Sequence, residues 1–409
     1  MVANTYMKEM KIIILLSLVF FIGCSQSKTP SSLSAPYIID FEQCMNTERT
    51  MRLSEIADTI EFLELKTPKD TIITSIWDFL ITKEFLLVFS RDGVYKFTKE
   101  GDFIKQVGRT GQGPGEYTLA VSATMNHVKR EIVISDVAQK IIFYDFDGNF
   151  LREEKWGHLR NIGYSDSILW ISDYPNNMSE NNALALNQNR DTLASIPNPH
   201  YGMKSKDGQG GFSSAKYLRS FYVYNDNTYL SGNEESDTVY QLSGKDYTPY
   251  IAFNKGKYKL PMEYEVWYSY DDHERFGSNY WNVITVAEDD RYLFLTCLRT
   301  APLAGKKYGH YEENYSYIVY DKEKKTAFKT GGEKGTKIID DIMGGPAIWP
   351  RYVTDDYYMY TKEWYNLSEE IKNGNYNLAP ALKEQFKKFG YSTNELIVMC
   401  RKKKQGRNK

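Results

Sequence analysis

The chain is poor in the residues that would carry metal or disulfide chemistry. It has 409 residues but only four cysteines, Cys24, Cys44, Cys297 and Cys400. With Cys24 assigned to lipid, as argued below, three thiols remain; they cannot all pair, so no disulfide framework holds this fold. The five histidines, His127, His158, His200, His273 and His310, stand far apart with no pair at ligand spacing, which argues against a zinc centre. The formal charge of −2 lacks an excess of either sign and argues against a nucleic-acid partner. No G-x-S-x-G elbow supports a serine hydrolase. The glycine-rich run Gly108 to Gly115 lacks the Gly-Lys-Ser/Thr of a phosphate loop and does not open a helix. Its glycines and Pro114 suit a connection between strands instead.

What the chain does have is aromatic residues, at 15%, with 33 tyrosines, and a hydrophobic fraction of 42% that can bury a large core. It also has a repeated phrase. Val94 to Val107 reads VYKFTKEGDFIKQV and Ile141 to Glu154 reads IIFYDFDGNFLREE. Each is an apolar alternation broken by an acidic-Gly turn and resumed at Phe, the pattern of a β-hairpin. Gly101 and Gly148 are 47 residues apart, and a third mark, Gly244 in TVYQLSGKDYTPYIAF, stands 96 residues further on, two more periods of 48. That period is the length of a four-stranded propeller blade.

Six blades fit: about Thr71 to Val107, Ala120 to Lys155, Asn161 to Ile196, Arg219 to Phe253, Asn282 to Lys329, and Ala347 to Arg401. The third has the weakest pattern, because Asn176 to Asn182 interrupts its alternation. The sixth is one strand short, with Glu395 to Arg401 as its third. The alternating segment Asp58 to Lys66, DTIEFLELK, supplies the missing outer strand from the other end of the chain and closes the ring, which removes open sheet edges. The expected fold is all-β, a six-bladed propeller closed by pairing of its N- and C-terminal strands, with loop or helical insertions on one face. An open two-sheet sandwich gives no reason for the period.

The amino terminus sets the compartment. Lys8 and Lys11 precede the apolar run Ile12 to Ile22, which is too short to span a bilayer and fits a secretory signal. Phe21-Ile22-Gly23-Cys24 resembles the bacterial lipobox, whose Cys becomes the acylated first residue. The domain plan is a signal at 1–23, a Ser/Pro-rich tether at 24–36, the propeller at 37–403 and a basic tail at 404–409. The alternative reading of the start is an ordinary signal peptide with a chance cysteine.

IVISDVAQKIIFYDFDGNFL resembles the NHL repeat of extracytoplasmic propellers. GRTGQGPGEY at Gly108 to Tyr117, SDTVYQL at Ser236 to Leu242 and IIDDIMGGP at Ile338 to Pro346 are similar to phrases of the 6-bladed β-propeller lipoproteins of Bacteroidetes. The resemblance implies the fold and the export route, and supplies no catalytic residue. Ser25, Gln26, Ser27 and Lys28 lack the acidic run that resembles a surface-export tag in these bacteria, so an outer-membrane lipoprotein on the periplasmic face is expected.

Three long insertions, Asn254 to Trp281, Leu298 to Asn314 and Lys362 to Asn394, fall where blade topology places connections of one face, the usual location of binding residues. The candidate ligand-binding residues are Arg275, Tyr280, Trp281 and Arg299 in the insertions, bordered by Arg91, Arg109 and Tyr117 on shorter connections. Aromatic platforms beside cationic donors suit a glycan, a peptide or an envelope protein. The equally simple alternative is that these aromatics pack the insertions against each other. Acidic pairs occur at Asp271-Asp272, Asp289-Asp290, Asp340-Asp341 and Asp355-Asp356. They read as turns and caps, since neighbours on a strand face opposite ways. The expectation is a lipid-anchored binding or interaction module with no cofactor. The alternative is a metal-dependent lactonase or lyase using the channel, where Asp, Asn and Glu could hold Ca²⁺, although no phrase fixes such a ring.

Overall fold

The structure, a computed structural model, describes residues 36–403 apart from 69–70, 72, 74, 157–159, 174–178, 200, 203–219, 232–236, 262–278, 301–311, 332–335, 375 and 391–392. Six sheets follow one another along the chain. Blade 1 is Ile76–Ile81, Leu86–Ser90, Gly93–Phe97 and Phe103–Gln106; blade 2 is Ala120–Asn126, Glu131–Asp136, Lys140–Asp145 and Phe150–Lys155. Blade 3, whose pattern is interrupted in sequence, still forms Arg160–Ser165, Ile168–Asp173, Asn181–Leu186 and Thr192–Pro197. Blade 4 is Phe221–Tyr224, Asn227–Leu230, Thr238–Ser243 and Asp246–Asn254; blade 5 is Trp281–Glu288, Tyr292–Arg299, Tyr315–Asp321 and Thr326–Thr330. Blade 6 takes Tyr352–Val353, Tyr357–Lys362 and Leu396–Lys402 from its own segment and Ala57–Leu63 from the amino-terminal end.

The closing strand pairs antiparallel with the third strand of blade 6, with Val398 opposite Phe62 and Cys400 opposite Ile60. The ring is visible in the core as well. Six apolar clusters lie one between each pair of neighbouring blades, including blades 6 and 1, where Ile397 and Met359 meet Val88 and Phe97. First strands of successive blades from 2 to 6 touch one another, which places them innermost.

The recurring glycine marks one hairpin in each copy. Gly101, Gly148 and Gly244 all join third to fourth strands, at φ of 84°, 77° and 56°. This left-handed region costs glycine nothing. At Gly101 a Cβ would also come within 2.1 Å of the Glu64 carbonyl, because the tip rests on the chain that leaves the closing strand.

The amino-terminal segment does more than close the ring. Before Ala57–Leu63 it adds a fifth strand, Tyr37–Asp40, parallel to the outer strand of blade 4, and then Glu48–Arg49, parallel to the outer strand of blade 5. Between them lies helix α1, Phe41–Asn46, capped by the Asp40 side chain, which accepts from the Gln43 N–H at 3.1 Å. Ile39, Phe41 and Cys44 enter the core between blades 4 and 5, and Met51, Leu53 and Ile56 that between blades 5 and 6. The segment is therefore a strap across three blades rather than a single closing strand.

Candidate functional site

In each blade the connections from second to third strand and from fourth strand to the next blade leave from one end, here called the insertion face. The hairpins joining first to second and third to fourth strands leave from the other, the hairpin face. All three long insertions belong to the insertion face by this order.

The candidate residues divide by location. Tyr280, Trp281 and Arg299 come together at the foot of the blade 5 insertions. The Arg299 guanidinium lies 4.3 Å over the Trp281 ring and its Nε donates to the Glu313 carbonyl at 3.2 Å, while the Tyr280 carbonyl accepts from the Thr300 N–H at 2.9 Å. Burial pushes the Arg299 guanidinium below its ordinary pKa. Arg275 lies in 262–278, outside the described residues, as do the insertion aromatics Tyr264, Trp267, Tyr268, Tyr270, Tyr308 and Tyr311. Arg91 is exposed at the tip of the hairpin-like connection between second and third strands of blade 1, two blades round the ring from this group.

Two expectations change. Trp281 is not in an insertion: it is the first residue of blade 5, only 6% exposed, and packs with the core between blades 4 and 5. Tyr117 is 1% exposed between blades 1 and 2 and borders no open surface. Its hydroxyl accepts from the Val94 N–H at 2.9 Å and donates to the Val107 carbonyl at 3.1 Å, pinning the connection to blade 1. Burial pushes this phenol up to about 12.

The glycine-rich connection explains why it is no phosphate loop. Its own Glu116 fills the concavity, accepting from the Gly113 N–H at 2.9 Å and from Arg109 Nε at 2.5 Å. The Gly113 N–H, followed by Arg109, holds this carboxyl below its usual range. At Gly111 a Cβ would sit 2.0 Å from Glu116 Oε2, so the carboxylate occupies the space that a side chain would need. Arg109 itself stands open, its side chain 78% exposed.

The blade 6 insertion holds helices α2, Trp364–Lys372, and α3, Pro380–Phe386. The Trp364 ring lies tilted 5.4 Å from that of Phe386 and meets Phe389 edge-on at 5.0 Å, and Phe386 meets Phe62 of the closing strand at 5.0 Å. Here packing between insertion and blade accounts for the aromatics. Tyr365 is the exception, 62% exposed.

Sequence reasoning missed a polar cluster near the hairpin face. Glu288, at the end of the first strand of blade 5, is wholly buried and receives Lys322 Nζ at 2.5 Å, Tyr250 Oη at 2.8 Å and Tyr222 Oη at 2.9 Å. Lys322 also donates to the Asp289 carbonyl at 2.6 Å and lies 4.5 Å over the Tyr224 ring. Burial holds Glu288 above its usual carboxyl range despite the lysine. The phrase AEDDRY gave one signal, a carboxylate ahead of a turn; its partners come from another blade and strand.

Residues 36–401 match the family described as "Domain of unknown function (DUF4934)". The chain belongs to this family. A solved Bacteroides fragilis protein described as exported is 19% identical with a TM-score of 0.66, over 90% of this chain and 100% of that one. At that identity the likeness concerns the fold alone. BamB from Moraxella catarrhalis, 10% identical with a TM-score of 0.34 over 70% of this chain and 68% of its own, is more distant. So is the N-terminal domain of Nup159, 11% identical with a TM-score of 0.40 over 80% and 77%. No curated protein matches the sequence.

The acidic pairs of this DUF4934 propeller serve its turns and its strap. Asp289 Oδ1 accepts from the Arg291 and Tyr292 N–H groups at 2.8 and 2.6 Å. Asp340 accepts from Ile342, Met343 and Gly345. Asp341 holds the strap through the Ser54 N–H at 2.9 Å and the Ser54 hydroxyl at 2.6 Å. Asp355-Asp356 is an exposed hairpin, and Asp271-Asp272 lies outside the described residues. Among the described residues no three His, Cys, Asp or Glu side chains converge as a metal-ligand set, and no helix is long and apolar enough to cross a membrane.

Proposed function

We propose that this propeller is a lipid-anchored envelope protein, held through Cys24 at the periplasmic face of the outer membrane, whose insertion face binds a glycan, a peptide or another envelope protein. One observation carries the binding role: the three long insertions all leave the same face of blades 4 to 6, whereas the hairpin face of these blades has short turns. A rigid scaffold bearing elaborated loops at one end is the usual arrangement of a recognition surface. The NHL-like phrases, the lipobox-like segment and a relative described as exported support the envelope placement.

The test is a binding screen of envelope glycans and peptides against the native chain and the variants Tyr365→Ala and Arg275→Ala. Trp281→Ala is unsuitable, because that ring is part of the core. An anchor residue in such a site contributes roughly 2 kcal/mol, so at least one variant should weaken binding by about thirtyfold. A ligand whose affinity is untouched by both, and which instead responds to changes on the hairpin face, would overturn the reading.

A further inference from the structure

We draw no further inference here: the strongest candidate, the row of exposed aliphatic side chains Ile104, Leu151 and Leu193 at the β-bulges in the outer strands of blades 1, 2 and 3, is an apolar rim, and nothing in the structure shows what covers it.

Discussion

Lys322 Nζ lies 2.5 Å from Glu288 Oε2, and both side chains are almost completely withdrawn from water. The pair joins the first and third strands of blade 5, and the tyrosines that complete it, Tyr222 and Tyr250, belong to blade 4. An ion pair of this kind gains little over an apolar core, but removing one partner strands the other charge. Lys322→Ala should cost about 3–5 kcal/mol in denaturant unfolding. The loss should grow with pH. Burial already raises the Glu288 pKa, so the folded state holds its proton more tightly than the unfolded state, and stability falls as pH rises through the raised value. Without the lysine that fall is steeper. Equal losses at acid and mildly alkaline pH would contradict this account.

Glu395 gives a cleaner pH test. Its half-buried carboxylate accepts from the Ile76 N–H at 2.7 Å, and burial raises its pKa. Because the folded value lies above the unfolded one, its contribution is fully present below the ordinary carboxyl range and is lost as pH rises through the raised value. Glu395→Gln keeps an acceptor and removes the titration. The variant should gain on the native protein in Tm as pH increases from acid to neutral; a constant difference across that range would show that the carboxyl does not titrate differently on folding.

Tyr117→Phe tests the seam between blades 1 and 2. Its hydroxyl satisfies a buried N–H at Val94 and a carbonyl at Val107, so its loss should cost about 1–3 kcal/mol without altering exposed surface. Gly108→Ala should disturb the same seam, since φ there is +67° and a Cβ would lie 2.4 Å from the Tyr144 hydroxyl. Urea midpoints measure both.

Ring closure predicts unequal truncations. A chain ending at Asn394 loses Leu396–Lys402, exposes the edges of two strands and should be insoluble, whereas one ending at Lys403 should remain folded. The strap adds a second test: Phe41→Ala empties a site in the core between blades 4 and 5 and should cost about 3–5 kcal/mol. Comparable solubility of the two truncations would refute closure through the termini.

Cys24→Ser should release the protein from the membrane fraction of a bacterial host, because stable anchoring requires the attached acyl chains. Retention after a high-salt wash would refute acylation at this position.

Much of the architecture is legible in the sequence because blades are local. Each hairpin is made by neighbouring segments, so alternation and the acidic-Gly turns at Gly101, Gly148 and Gly244 locate the strands, and the one-strand deficit of the last blade points to its partner near Phe62. The tertiary structure decided what depends on contacts between distant segments. Tyr37–Asp40 and Glu48–Arg49 carry little strand signal, since a short edge strand is held by the blade it joins. Tyr117 and Trp281 look like surface aromatics until neighbouring blades enclose them. Glu288 acquires its role only when blade 4 brings two tyrosines against it. Periodicity along the chain reports hydrogen bonding within a blade; burial and pairing between blades are set by how the ring closes, which no local pattern records.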